Sequence, residues 1–222
     1  MSENHLHHYS KTLSIVFVLM ISWLCSSGCK HSGSPLTGDE SAFKRYPYEK
    51  FHLSYEYNGD VRGIEELFVA KHGVYESRYS KFEVFTPQGL RSVESGSLTR
   101  FNDVYTIDYE TKTTILQRAQ TLDSLYHLDV SDMPSPQGYL EAEMRKNYFK
   151  SSGIDTLLGK PATRWQQVDG DLVLWVWNSI LLKKHASSPN GILEMSIKSI
   201  DTSWTVDTSK FAVPSGFRIT KK

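Results

Sequence analysis

The residues that could carry chemistry are few in this chain, and they do not combine into a catalytic arrangement. The sequence contains no H-E-x-x-H zinc-protease helix, no G-x-S-x-G nucleophile elbow and no phosphate-binding P-loop. Beyond residue 28, the histidines are His31, His52, His72, His127 and His185. No two of them have the spacing of paired metal ligands on one helix. The sequence therefore predicts a protein that is not an enzyme and that holds neither a metal ion nor another cofactor.

Two pairs of acidic residues could be read as catalytic or metal-binding carboxylates, and each is better explained by local structure. Glu65 and Glu66 are adjacent in a predicted strand, so their side chains should point to opposite faces of the sheet. Asp169 and Asp171 flank a turn, and a calcium loop needs more oxygen ligands in one stretch. His52 lies on the polar side of its predicted strand, where a solvated side chain is expected rather than a ligand. We expect none of these residues to be catalytic.

Cys29 is the one reactive side chain in a specific context. Lys11 precedes an apolar run over residues 12–24, and small residues at 26–28 follow, which is the order of a secretory signal peptide. The run is shorter than the roughly 20 residues of a membrane-spanning helix. Ser27-Gly28-Cys29 resembles the bacterial lipobox, which implies cleavage before Cys29 and a lipidated new N-terminus. Ordinary signal cleavage and an uncleaved anchor are the alternatives.

These features divide the chain into three parts. Residues 1–28 are predicted to be a lipoprotein-type signal peptide. Residues 29–45 form the acylated N-terminus and a flexible tether rich in Ser, Gly and polar residues. Residues 46–222 form one β domain without a cysteine, because Cys25 and Cys29 are the two that the chain has. Lys30 stands where an inner-membrane retention signal would have Asp, so the resemblance implies the outer membrane, with the domain in the periplasm.

The stretch 162–182 must position most of the remaining candidate residues. Asp169-Gly170 predicts a two-residue type I′ hairpin turn, which needs positive φ at both positions. That turn would pair Val168 with Asp171, Gln166 with Val173, Trp165 with Leu174 and Arg164 with Trp175. The second strand, residues 173–177, is apolar on both faces. It must therefore be covered on both sides, by a core, a lid or a ligand.

Aromatic and aliphatic side chains of this hairpin and of the first strand are the candidate ligand-binding residues. They are Tyr55, Tyr57, Trp165, Leu174, Trp175, Val176 and Trp177. Packing within a core is the alternative role, since such residues are favoured in sheets. Strand alternation predicts that Trp165, Leu174 and Val176 share one face, with Trp175 and Trp177 on the other. The alternation does not say which face is concave.

The rest of the domain has the pattern of a meander of antiparallel strands. Residues 51–58 alternate apolar and polar with a period of two, and turn residues recur at short intervals. Residues 136–150 have the near-helical spacing of an amphipathic helix, which either completes a core or forms a lid. Residues 203–205 predict a short strand. Pro214 and Gly216 predict that regular structure stops near the C-terminus.

Four stretches resemble the periplasmic lipoprotein-carrier and lipoprotein-receptor superfamily (LolA/LolB-like) and its uncharacterised bacterial lipoprotein relatives. They are VYTIDYETKT at 104–113, IDTLLGKPATRW at 154–165, DLVLWVWNSILLK at 171–183 and FAVPSGF at 211–217. The resemblance covers about residues 46–219. It implies a mainly β fold with minor α: a strongly curved antiparallel sheet, or half-open barrel, with helices on the concave side. It also implies an apolar hollow that can hold acyl chains.

Charge and composition narrow the partners. The chain has 25 basic and 25 acidic residues, with no basic stripe, so no nucleic-acid binding is expected. The expected partners are a membrane through the N-terminal lipid, a lipid or acyl ligand, and an envelope protein. Two functions are compatible with these features. One is a lipid-anchored envelope protein that binds an acyl chain or a lipidated protein in the hollow. The other is a structural or partner-binding envelope lipoprotein with a plugged, ligand-free hollow.

Overall fold

The structure is a computed structural model, and it describes residues 44–86, 89–101, 103–118, 144, 149–188 and 191–221. Nearly all of this part of the chain is β-strand. The strands are β1 (Phe51–Gly59), β2 (Val61–Ala70), β3 (Tyr75–Thr86), β4 (Gly89–Arg100), β5 (Asp103–Asp108), β6 (Thr113–Arg118), β7 (Phe149–Leu157), β8 (Lys160–Gln167), β9 (Leu172–Trp177), β10 (Ile180–Ser188), β11 (Gly191–Asp201) and β12 (Arg218–Lys221). Two short 3-10 helices, Lys71–Gly73 and Thr208–Phe211, lie between them.

Within the described residues, the twelve strands form one sheet in the order β12-β6-β5-β4-β3-β2-β1-β11-β10-β9-β8-β7. Neighbours are antiparallel except β12 and β6, which are parallel. The sheet is curved and unclosed, as expected for a half-open barrel. The Tyr55 hydroxyl of β1 donates to the Leu181 carbonyl of β10 at 3.0 Å, so its side chain lies across the intervening β11.

The period-two pattern of the first strand is confirmed. Phe51, Leu53, Tyr55 and Tyr57 are 0–4% exposed, while the residues between them are half-buried. Together with apolar residues of β2, β3, β8, β10 and β11, these four side chains form the largest apolar cluster of the described residues, which we call the central cluster. Burying apolar area at about 25 cal/mol per Å² makes this cluster the main contribution to the stability of the sheet.

The hairpin of β8 and β9 has the predicted register and a different turn. Trp165 is opposite Leu174, and the two flanking pairs are also as predicted. Neither Asp169 nor Gly170 has a positive φ, so the type I′ prediction is wrong, and residues 168–171 form a longer connection. Paired positive φ angles occur instead at Leu158-Gly159 and Asn178-Ser179, each of which joins two strands through two residues. Register was set by the apolar pattern rather than by the turn.

After β11 the chain crosses one face of the sheet to reach its far edge. Trp204 packs on Phe68 of β2 at 5.4 Å between ring centroids, and Phe211 packs on Tyr75 of β3 at 6.0 Å. The Nε group of Arg100 donates to the Phe211 carbonyl at 2.7 Å. This crossing forms what we call the C-terminal cluster, with Ala70, Leu98, Ile107 and Phe211 buried at its centre.

The C-terminal predictions are corrected by this crossing. Residues 203–205 are not a strand, because Trp204 packs onto the sheet face instead of pairing at its edge. Regular structure resumes after Gly216, where β12 pairs with β6, with Ile219 opposite Thr114. A four-residue strand whose side chains are all exposed has no apolar pattern by which to predict it.

The predicted helix over 136–150 is only partly within the described residues. Met144 is helical and buried, and it packs with Phe149, Trp165, Leu174 and Val176 in what we call the hairpin cluster. Phe149 and Lys150 are the start of β7, so the helix does not extend to residue 150 as predicted. The signal peptide, Cys29 and most of the tether lie outside the described residues. Among the described residues, no helix has the length and apolar character needed to span a membrane.

Candidate functional site

One face of the central sheet is divided into an apolar half and a polar half. The apolar half is made by alternate residues of β11, β1 and β2, where Met195 is opposite Tyr57 and Leu53 is opposite Leu67. The polar half begins at β3 and continues through β4 and β5. Its polar residues are Glu76, Arg78, Ser80, Arg91, Ser95, Ser97, Thr99, Thr106 and Asp108. Because residues opposite one another share a face, the two halves form one continuous amphipathic surface.

A glycine lets the aromatic part of this surface close. Tyr57, Gly63 and Phe82 are opposite one another on three neighbouring strands. The Tyr57 and Phe82 rings meet edge to face at 4.7 Å, above the glycine. A Cβ atom at Gly63 would lie 2.1 Å from the Lys81 carbonyl oxygen, and φ there is +151°. A larger residue at position 63 would therefore separate the strands at this point.

A buried ion pair lies at the boundary between the two halves. The Glu65 side chain is 2% exposed, and its carboxylate accepts from Arg78 Nη1 at 2.7 Å. It also accepts from the Ser80 hydroxyl at 3.1 Å and from the Tyr57 hydroxyl at 3.3 Å. Burial alone lowers the pKa of Arg78, but the carboxylates of Glu65 and Glu76 outweigh it and raise that pKa, so the guanidinium stays charged. Burial raises the pKa of the Tyr57 phenol.

Further charges flank this pair. Arg45 Nη1 donates to the buried Glu76 carboxylate at 2.6 Å. Lys184 of β10 is opposite Met195, so it lies on the same face from the other side. Burial lowers the pKa of Lys184, and the Glu65 carboxylate opposes that shift only in part. Within the described part of the chain, the Lys184 ammonium has neither an ion-pair nor a hydrogen-bond partner.

The structure does not bring all the predicted ligand-binding residues together. Tyr55 and Tyr57 are in the central cluster, and Trp175 and Trp177 pack against that cluster half-buried. Trp165, Leu174 and Val176 are 0–3% exposed in the hairpin cluster. The predicted division of the hairpin side chains into two sets is therefore confirmed, while a single site containing all seven residues is not formed.

The two half-buried tryptophans have polar partners. Trp175 Nε1 donates to the Asp155 carboxylate at 2.6 Å, and Lys183 Nζ lies 5.0 Å from the centroid of the Trp175 ring. Lys160 Nζ lies 4.9 Å from the Trp177 ring, a cation–π distance. These contacts explain why the two rings are partly exposed without lying in an open apolar patch.

The adjacent glutamates face opposite sides of the sheet, as predicted. Glu66 accepts from the Ser54 hydroxyl at 2.9 Å and is paired with His52. The His52 ring stacks on Phe68 at 4.4 Å, so His52 is partly buried and paired, and the expectation that it is solvated is wrong. In the residues described, no three His, Cys, Asp or Glu side chains are grouped closely enough to hold a metal ion.

Sequence reasoning missed the charged residues of the face. Arg78, Glu76 and Lys184 belong to no motif, because a buried charged residue and a solvent-exposed one give the same alternating pattern in a strand. The sequence does contain one indication: Glu76, Arg78, Ser80 and Phe82 are spaced two residues apart. In a strand this spacing puts three polar side chains and one apolar side chain on the same face. That pattern indicates a strand whose inner face changes from polar to apolar.

Comparison with known proteins adds little to the geometry. No protein-family model matches the chain, and neither does any curated protein. Among solved structures, the chain is similar to an uncharacterized conserved protein from Thermus thermophilus, with 8% identity, a TM-score of 0.49, and 79% of this chain and 92% of the other covered. It is also similar to LprF from Mycobacterium bovis, with 12% identity, a TM-score of 0.36, and coverages of 76% and 92%. Similarity at this level establishes neither a shared family nor a shared ligand.

Proposed function

We propose that this chain is a lipid-anchored cell-envelope protein that binds an acyl chain, free or on a lipidated protein, in the hollow of its curved sheet. No catalytic step is part of the proposal. The lipobox-like Ser27-Gly28-Cys29 supports the anchor, and Lys30 supports an outer-membrane, periplasm-facing location. The observation that carries the binding function is the apolar half of the sheet face, which continues across β11, β1 and β2.

The energetics suit an acyl chain. Each buried methylene contributes about 0.8 kcal/mol, so a chain of some sixteen carbons offers roughly 12 kcal/mol before the costs of ordering. The Tyr55 and Tyr57 hydroxyls on this surface already donate to Leu181 and Glu65, and an acyl chain needs no hydrogen-bond partner. The hollow would act by removing the chain from water, not by forming specific hydrogen bonds with it.

A second function is favoured by a different observation. Tyr55 and Tyr57 are 3% and 4% exposed, and Leu182 and Leu53 are fully buried, so this face is covered as the chain stands. Under this alternative the hollow is plugged, and the protein is a structural or partner-binding envelope lipoprotein. For an acyl chain to bind, some of this cover must move aside.

Substitution at Met195 separates the two functions. Met195→Trp adds bulk to the hollow, while Ser196→Trp places the same ring on the opposite face of the same strand. If the hollow takes acyl chains, Met195→Trp abolishes binding of a fluorescent fatty acid and Ser196→Trp preserves it. If the hollow is plugged, the wild type binds no fatty acid, and Met195→Trp instead lowers stability by about 1–3 kcal/mol through overpacking.

Native mass spectrometry gives an independent measurement. Protein purified from its host should carry a co-purified lipid, released by organic extraction. If the protein carries no lipid and binds no fatty acid, the acyl-binding function is rejected and the plugged, ligand-free hollow is supported.

A further inference from the structure

The start of the domain is fixed at one end of the strands. The Arg45 and Tyr46 amides donate to the His72 carbonyl at 3.0 and 3.1 Å, and the His72 amide donates to the Glu49 carbonyl at 2.9 Å. These bonds tie the first described residues to the connection between β2 and β3. The predicted tether from Cys29 therefore enters the domain at this end of the sheet.

Two further connections lie at the same end, because neighbouring strands are antiparallel: the β7–β8 turn and the β9–β10 turn. Side-chain contacts join them to the start of the domain. The Tyr48 ring packs on the Trp177 ring at 5.7 Å between centroids, and Lys160 Nζ lies 4.9 Å from the centroid of Trp177. We call this surface the tether rim, and it consists of residues 44–50, 71–74, 158–160 and 177–179.

Leu158 of the tether rim is an unusual residue for its position in a turn. Its φ is +48° and its side chain is 53% exposed, so a left-handed backbone holds an apolar side chain largely in solvent. Asn178 has the same φ at the corresponding position of the β9–β10 turn, where asparagine is a favoured residue. The left-handed conformation costs leucine more than asparagine. Turn geometry therefore favours asparagine at position 158, and an apolar contact outside the chain would account for the leucine.

The described residues of this rim carry more cations than acids. The cations are Lys44, Arg45, Lys50, Lys71 and Lys160, and the acids are Glu49 and the Glu76 that pairs with Arg45. Strand ends farther round the same end of the sheet add Arg100, Asp103 and Asp201, and an excess of positive charge remains. Lysines beside apolar and aromatic side chains are typical of a surface that meets acidic lipid head groups.

The length of the tether favours the same rim. About fifteen residues separate Cys29 from Lys44. A flexible chain of that length has a root-mean-square span of about 20–23 Å. The opposite rim lies a full strand away, about 36 Å for the 12 residues of β3. A lipid at Cys29 therefore brings the tether rim to the bilayer more readily than the opposite rim.

We propose that the tether rim is a membrane-docking surface, which contacts the bilayer that holds the N-terminal lipid. Leu158 lies among the head groups, and the lysines contact acidic phosphates. This inference rests on the lipid anchor of the proposed function and adds the orientation of the domain. The opposite rim, which contains the β3–β4 and β8–β9 connections, then faces away from the bilayer.

The test uses the lipidated protein in vesicles of phosphatidylethanolamine and phosphatidylglycerol, with a fluorophore on a single added cysteine. The chain has no cysteine after Cys29, whose thiol carries the lipid, so the label is unique. Glu49→Cys places it on the tether rim, and Asp169→Cys places it on the opposite rim, in each case at an exposed acidic residue. A nitroxide on the lipid head groups should quench the label at position 49 several-fold more than the label at position 169.

Leu158→Asn, made in the Glu49→Cys protein, tests the docking surface itself. It should lower the equilibrium constant for docking about fivefold, because the exposed half of a leucine side chain no longer leaves water. The variant should be at least as stable to urea as its parent, since asparagine suits the turn, so a folding defect cannot explain the loss. Leu90→Asn is the matched control: this leucine is 55% exposed on the opposite rim, and its replacement should leave the quenching unchanged.

The charge contribution is tested with Lys160→Gln, which should weaken docking about fivefold on the acidic vesicles and leave it unchanged on vesicles of phosphatidylcholine alone. Stronger quenching at position 169 than at position 49 would show that the opposite rim faces the bilayer, and the proposal is then wrong. Quenching at position 49 that is unchanged by Leu158→Asn and by neutral vesicles would also overturn it, because the tether alone would then hold the rim near the membrane.

These outcomes are distinguishable from failure of the proposed function. A protein that lacks the mass increment of lipidation and leaves the vesicles overturns both the anchor and the docking surface. Absence of fatty-acid binding rejects the acyl-binding function and leaves the docking surface standing.

Discussion

The Glu65–Arg78 pair gives the sharpest test of how this sheet is stabilised. Glu65→Ala removes a carboxylate that is 2% exposed and leaves the Arg78 guanidinium without its 2.7 Å partner. Removing one partner of a buried ion pair costs about 3–5 kcal/mol, because the remaining charge, here an Arg78 side chain that is 33% exposed, loses its partner. The Ser80 and Tyr57 hydroxyls also lose their acceptor. For a domain of this size, a cost of about 4 kcal/mol lowers the melting temperature by roughly 8–16 °C.

A matched pair on the surface provides the control. Arg91 and Glu110 are the same residue types at 2.6 Å, but their side chains are 55% and 63% exposed. An exposed pair contributes about 0–1 kcal/mol, so Glu110→Ala should change the melting temperature by no more than a few degrees. The two variants differ in burial and not in the chemistry that is removed.

A double variant completes the cycle. Glu65→Leu with Arg78→Met replaces both charges by apolar groups of similar length, and such replacements are often neutral or stabilising. It should therefore be more stable than Glu65→Ala, as measured by urea denaturation with two-state fits. A Glu65→Ala cost below about 1 kcal/mol, or a double variant less stable than Glu65→Ala, would show that the pair is not desolvated in the way the structure indicates.

Four further predictions follow from other parts of the molecule. Gly63→Ala should cost at least about 2 kcal/mol of folding stability, because the new Cβ atom would collide with the Lys81 carbonyl oxygen. Gly159→Ala is the control: this residue is in the left-handed conformation with open space around it, so the substitution should cost about 1 kcal/mol. Equal urea midpoints for the two variants would contradict the steric argument. Because burial lowers the pKa of Lys184, the unfolded chain binds more protons than the folded chain at pH values between that lowered pKa and about 10.4. Wild-type stability should therefore rise with pH on approaching about 10.4, and Lys184→Met should lose that part of the slope; an unchanged slope in the variant is the contrary result. Phe211→Ala should cost about 3–5 kcal/mol of folding stability, because the ring is 7% exposed and packs the crossing segment onto the sheet. The β12 amides should then exchange hydrogen faster. Retained protection of these amides would show that the pairing of β12 with β6 does not depend on Phe211. Cys29→Ser should move the protein out of the membrane fraction and abolish the mass increment of lipidation; a variant that stays in the membrane fraction would indicate an uncleaved anchor.

Local apolar patterns in the sequence were enough to predict individual strands and one strand pairing. Alternation in residues 51–58 predicted β1 and its buried side, and the apolar register of 162–177 predicted how β8 pairs with β9. These succeed because strand periodicity and cross-strand burial act over a few residues. The turn type at Asp169-Gly170 was wrong because the flanking strands set the register, and the connection then adopted the conformation that their ends allowed.

Which charged side chains are buried could be read only from the three-dimensional structure. Glu65 and Glu66 are identical neighbours, yet one is buried against Arg78 and the other pairs with His52 on the opposite face. Lys184 is mostly buried, and the Glu65 carboxylate, more than a hundred positions earlier in the chain, opposes the lowering of its pKa by burial. Burial and charge compensation depend on contacts between distant segments, and curvature creates those contacts, so no local pattern encodes them.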